Sequence, residues 1–123
     1  MANDNAKKSL RSRGGLKITL NDERGHESFV VETPAGQKFL LQSGPGQIEL
    51  IDGNGNAVHL KPDGITVNSP AKVTINASVV EINSGMVSVN AAMSKFSGVV
   101  QCDTLISNNV VSTSYSPGAG NIW

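Results

Sequence analysis

The 123-residue sequence predicts an all-β fold: an intertwined homotrimeric β-helix, shaped as a triangular prism and preceded by a wider N-terminal β region. Three observations predict it. Between residues 64 and 91 a β-branched residue, a polar residue, a second β-branched residue, Asn and then Ser or Ala recur as ITVNS (65–69), VTINA (73–77), VEINS (80–84) and VSVNA (87–91). Upstream of that stretch, short strand-like runs alternate with turns that carry Gly or Pro. Apolar residues make up 38% of the chain and only five are aromatic, namely Phe29, Phe39, Phe96, Tyr115 and Trp123. A thick core of its own would be hard to fill from that stock.

Residues 1–13, MANDNAKKSLRSR, are polar and charged without apolar period, and read as a flexible arm. Residues 14–63 read as the N-terminal strands. LKITL is followed by NDERGH, SFVVE by TPAG, QKFLLQ by SGPG, QIELI by DGNGN, and AVHLK by PDG. Each break holds a residue suited to a tight turn.

Residues 64–114 read as a repeat-built shaft, and the period of its pattern is two. In an extended chain alternate side chains share a face, so Ile65, Val67, Val73, Ile75, Val80, Ile82, Val87 and Val89 point inward together. Thr66, Thr74, Glu81 and Ser88 face water. A helix is excluded by the dominance of Val, Ile, Thr, Asn and Ser. The pattern continues more loosely through SKFSGVV, CDTLIS and NNVVSTS, and residues 115–123 end it with Gly and Pro.

One chain of this length would complete too few coils to bury those inward residues. Three chains around one axis, each supplying one face of a triangular layer, bury them all. At roughly 1.5–3 kcal/mol per fully buried Val or Ile, those eight positions favour assembly strongly. An intertwined prism also leaves no free sheet edge along its length.

Composition excludes several function classes. Ten Lys and Arg balance ten Asp and Glu, so there is no overall electrostatic case for nucleic acid or an anionic membrane. The N-terminal 24 residues are nonetheless basic, with Lys7, Lys8, Arg11, Arg13, Lys17 and Arg24 against Asp4, Asp22 and Glu23. Docking of this end to an acidic protein surface is the reading preferred over a nucleic-acid tail. No apolar run approaches the roughly 20 residues of a membrane span, and no apolar signal core opens the chain, so synthesis in the cytoplasm is expected. Cys102, the one cysteine, reads as a small hydrophobe and excludes an intramolecular disulfide.

His26 and His59 fall on different runs with no nucleophile and acid in triad order. The carboxylates Glu32, Glu49, Asp52, Asp63, Glu81 and Asp103 are scattered one per run, where a glycosidase needs two across a cleft. Asp52-Gly53-Asn54-Gly55-Asn56 with Asp63 partly matches a calcium loop, but Ala57 stands where that loop needs Gly, so a hairpin turn is the simpler reading. No catalytic residue, metal site or cofactor is expected.

The segments TPAGQKFLLQ and GQIELIDGNGNAVHLKPDGITVNSPAKVTINA, with the repeats after them, resemble the C-terminal trimeric β-helix of the cell-puncturing spike of contractile phage tails. That is the baseplate protein V family, with the Vgr protein of type VI secretion as its relative. The resemblance covers roughly residues 16–123 and implies a structural, non-enzymatic, membrane-piercing spike of a phage baseplate or related injection system. It further implies assembly into the virion tail or an equivalent particle and contact with the target cell envelope.

Members of that family usually carry an oligosaccharide-binding-type barrel before the helix. Here about fifteen residues precede the first strand, so attachment to separate baseplate hub proteins through Leu10, Arg11, Arg13, Leu16, Ile18 and Leu20 is expected. The His-x-His pair of metal-bound spike points is missing. The resemblance instead implies a blunt tip at Tyr115, Pro117, Gly118, Gly120, Asn121, Ile122 and Trp123, of the kind that receives a PAAR-type tip protein. Trp123 would cover the last apolar rung, join a protein-binding tip, or do both. Two other readings stay open: a trimeric receptor-binding adhesin or tail-fibre segment, which predicts binding patches along the shaft, and a single-chain β-helix enzyme, which predicts a monomer with clustered carboxylates.

Overall fold

The computed structural model describes residues 6–116. By internal contacts the chain separates into two units that divide between Val80 and Glu81. The first unit contains seven five-residue strands: β1 Lys7–Arg11, β2 Lys17–Asn21, β3 Ser28–Glu32, β4 Lys38–Gln42, β5 Gln47–Ile51, β6 Ala57–Lys61 and β7 Gly64–Asn68. They form one antiparallel meander in which each strand pairs only with its neighbours in sequence. The fold is all-β, and no helix occurs among the described residues.

The turns follow from their residues. In the β3–β4 connection Thr33 N–H donates to the Gln37 carbonyl at 3.0 Å and Gly36 N–H to the Thr33 carbonyl at 3.1 Å. This closes a short Pro34-Ala35-Gly36 loop, with Gly36 at φ +101°. Ser12 closes β1–β2 in the same way, its N–H donating to the Leu16 carbonyl and its hydroxyl accepting from Leu16 N–H. The β5–β6 turn is held by Asp52, whose carboxylate accepts from Asn54 N–H at 2.8 Å and from Asn56 N–H at 3.1 Å. Asp52-Gly53-Asn54-Gly55-Asn56 is a hairpin turn. Pro62 and Asp63 alone join β6 to β7, because Lys61 pairs with Gly64.

Two segments differ from their sequence reading. Lys7–Arg11, read as part of a flexible arm, forms β1 against β2 with Leu10 opposite Ile18. The strand exists because the Ser12 turn folds the chain back and lets the backbone pair, although the segment holds a single large apolar residue. Gly64–Asn68, read as the first rung of the shaft, is the last strand of the meander. The two-residue turn at Pro62-Asp63 returns the chain directly alongside β6 and leaves no other pairing within reach.

Beyond β7 the backbone runs without strand pairing inside the chain through residue 116. Serines shape its bends. Ser69 Oγ accepts from Lys72 N–H at 3.2 Å. In the second unit Ser84 Oγ accepts from Met86 N–H at 3.0 Å and donates to the Met86 carbonyl, while Ser107 Oγ donates to the Asn109 carbonyl at 2.6 Å. Such side chain to backbone bonds replace the ladder at corners.

Candidate functional site

The register of the meander decides which side chains share a face. Leu40 pairs with Val30 on one side and Glu49 on the other, Val30 with Thr19, and Glu49 with His59. Alternation then places Ser9, Thr19, Val30, Leu40, Glu49, His59 and Thr66 along the middle of one face. That face is mostly polar and carries Lys7, Arg11, Lys17, Glu32, Lys38 and Lys61 beside this row. Leu40, 6% exposed, is the buried hydrophobic residue among the described positions.

The opposite face is apolar almost throughout. It presents Leu10 from β1, Ile18 and Leu20 from β2, Phe29 and Val31 from β3, Phe39 and Leu41 from β4, Ile48 and Leu50 from β5, Val58 and Leu60 from β6, and Ile65 and Val67 from β7. Lys8, on the edge strand, is its one charged member. Phe29 and Phe39 meet edge to face across β3 and β4, with ring centroids 6.5 Å apart at 83°. Two open hollows lie on this face, one of about 430 Å³ among Val31, Phe39, Leu50 and Val58, and one of about 490 Å³ around Phe29, Leu41 and Ile48. Leu10, Leu20, Phe39, Leu50, Ile65 and Val67 remain exposed in the isolated chain. A face of this size and composition marks an assembly surface.

The residues singled out from the sequence are distributed over both units. Ile65 and Val67 stand on the apolar face of the sheet. Val73, Ile75, Val80, Ile82, Val87 and Val89 follow in the unpaired stretch and are all exposed in the single chain. Leu10, Ile18 and Leu20 share the apolar face, Arg11 lies on the polar face, and Arg13 and Leu16 sit at the β1–β2 turn. Tyr115 is exposed, and Pro117, Gly118, Gly120, Asn121, Ile122 and Trp123 lie outside the described residues. Sequence reasoning singled out Leu10, Ile18 and Leu20 for hub attachment and passed over the eight apolar side chains that β3 to β6 place on the same face. The signal was present as alternation within each strand, and cross-strand register was needed to join it into one face.

Titratable groups offer little reactive chemistry. His59 Nδ1 stands 3.5 Å from Glu49 Oε2 across β5 and β6, and both side chains are largely covered. Thr66 stands opposite His59 in the register without a hydrogen bond to it, and the Glu49–His59 pair is a cross-strand contact on the polar face. Hydrogen bonds from the Asn56 side chain and from Asn54 N–H hold the Asp52 carboxyl below its usual range. Backbone N–H groups of Glu27 itself and of Gly25 do the same for Glu27. Among the described residues no three His, Cys, Asp or Glu side chains gather as a metal site would require.

An uncovered apolar sheet followed by repeats without intrachain partners calls for further copies of the chain. The model of the phage baseplate V C-terminal trimerisation domain matches residues 28–91, which is more than half of the sequence. The chain belongs to this family. No curated protein matches it. The match runs from β3 through the VSVNA repeat and takes in most of the apolar face. As a baseplate V trimerisation domain the chain is a structural part of a phage baseplate, assembles as a homotrimer and enters the virion tail.

Proposed function

We propose that this baseplate V domain is the central, membrane-piercing spike of a contractile injection machine. The apolar face of the meander carries the proposal. Thirteen apolar side chains on one sheet face, six exposed and seven half-buried in the single chain, need a partner surface of equal extent, and two further copies supply it. Its hollows at Phe39 and Phe29 would accept side chains from the neighbouring sheets. Residues 69–114 then pair between chains, which satisfies backbone groups that have no ladder within one chain. Ile65, Val67, Val73, Ile75, Val80, Ile82, Val87 and Val89 line the threefold axis in this reading.

The mechanism is mechanical. Contraction of a sheath drives the trimer forward, and a narrow interlocked shaft without free edges concentrates force on the target envelope. The β1–β2 end faces the baseplate hub, and the residues from Tyr115 onward form the tip that receives a PAAR-type protein.

Light scattering on the purified chain tests the assembly. A mass three times 12.8 kDa that persists on dilution is expected, and a monomer would overturn the reading. Antibody labelling of intact particles tests the position. Label on the tail axis supports a spike, while label at the baseplate periphery would assign the chain to a receptor-binding fibre.

A further inference from the structure

We propose that β1 is a docking edge which takes up an extended acidic segment of a partner protein as an additional strand. The inference rests on the trimeric baseplate reading and names the chemistry of the partner at its β1–β2 end.

β1 pairs only with β2, so its other side is an open sheet edge among the described residues. Which groups point outward follows from the bonds at its two ends. Ser12 N–H donates to the Leu16 carbonyl, and Asp22 N–H donates to the Ala6 carbonyl. In an antiparallel ladder the bonded residues alternate, so Ala6, Lys8, Leu10 and Ser12 turn their backbone groups toward β2. Lys7, Ser9 and Arg11 therefore direct their N–H and C=O groups away from the sheet. All five residues of β1 are exposed.

The charge of this hairpin selects what can pair there. Residues 6–21 contain Lys7, Lys8, Arg11, Arg13 and Lys17 and no Asp or Glu. None of the five is ion-paired among the described residues. Charged edges discourage pairing between like copies, and here two basic edges would repel one another. The same field attracts an acidic strand. The opposite edge, β7, reads Gly-Ile-Thr-Val-Asn and carries no charge. It also leads directly into the repeats, which leaves β1 as the edge at the other end of the sheet. An alternating row of donors and acceptors fits a peptide backbone, whereas phosphates would use the N–H groups and cations and leave the outward carbonyls unpaired. The occupant is accordingly an extended acidic polypeptide.

Fluorescence anisotropy on the trimer, using a labelled peptide of alternating glutamate and threonine, tests the proposal. Peptide binding that weakens at high salt is expected, with no binding of the matching lysine and threonine peptide. Ser9→Pro removes an outward N–H while leaving the β1–β2 bonds in place, and edge strands accommodate Pro. This variant and Lys7→Glu/Arg11→Glu should each weaken binding by about tenfold or more. Amide exchange adds a readout free of substitution: the peptide should protect Ser9 and Arg11 of the wild-type chain.

Absence of peptide binding, or binding without protection of these amides, overturns the proposal. So does preferential binding of a single-stranded oligonucleotide or of phosphatidylglycerol vesicles. A trimer that ignores the acidic peptide overturns this inference and leaves the spike reading standing, whereas a monomer overturns the spike reading itself.

Discussion

Gly53 lies against the neighbouring hairpin turn so closely that a Cβ on it would stand 2.9 Å from the carbonyl oxygen of Ala35. The turns at this end of the sheet interlock in a row. A Cβ on Gly15 would meet Pro34 at 2.6 Å, and one on Gly55 would meet Pro70 at 3.0 Å. Successive turns on the same end of the sheet approach this closely at glycine, so Gly faces Pro or another Gly from one hairpin to the next.

Gly53→Ala should therefore destabilise the domain. Gly53 has φ +84°, where an L-residue costs about 1–2 kcal/mol, and the contact with Ala35 adds to that cost. Thermal unfolding checks this. A melting temperature equal to wild type would show that the two turns move apart freely.

Leu50→Asp should abolish the trimer. Leu50 is on the apolar face beside Phe39, and a charge buried there three times over would cost several kcal/mol per site, on the order of the penalty for an unpaired buried polar group. Glu49→Gln, one residue earlier and on the polar face, should leave the mass unchanged. Sedimentation of the two variants separates the faces, and a trimeric Leu50→Asp protein would place the interface elsewhere.

In the second unit Val100, Leu105 and Val110 are 60–70% exposed, while Val99, Ile106 and Val111 are 93–97% exposed. The first three match the exposure of Val87 and Val89, and in the trimer reading they would continue that row. Val89→Asp and Val110→Asp should block assembly, and Val111→Asp should be tolerated. Native mass spectrometry distinguishes these outcomes, and equal behaviour of Val110→Asp and Val111→Asp would show that the row ends before residue 110.

Asp52 gives a dependence on pH. Its carboxyl is held below the ordinary value of 3.8 by Asn56 and Asn54, so the folded state favours the charged form. This contribution is fully present above that ordinary value and is lost as the pH falls through the lowered one. Asp52→Ala should melt below wild type at neutral pH, with the gap closing in acid. A gap that stayed constant down to the lowest pH would mean that the carboxylate charge plays no part in the turn.

Much of the fold was legible because local chemistry is explicit. KITL, SFVVE, KFLLQ, QIELI and AVHLK are all strands, and each Gly- or Pro-bearing break between them is a turn. β1 escaped notice because Leu10 alone interrupts its polar residues, and pairing with β2 supplies what its side chains do not. The apolar face was harder to read for a related reason. SFVVE and KFLLQ carry apolar residues at adjacent positions, so alternation within either strand does not say which face is wet.

Residue chemistry was thus sufficient for strands β2 to β6, their turns and the need for more than one chain, since all three depend on near neighbours and on total apolar content. The membership of the apolar face was not available at that level. It depends on which residue of one strand stands opposite which of the next, and a shift of one position would exchange Phe39 and Leu41 for Leu40. The turn lengths, enforced by backbone hydrogen bonds and by the close approach of Gly53 to Ala35, set that register and bring thirteen separate side chains onto one surface.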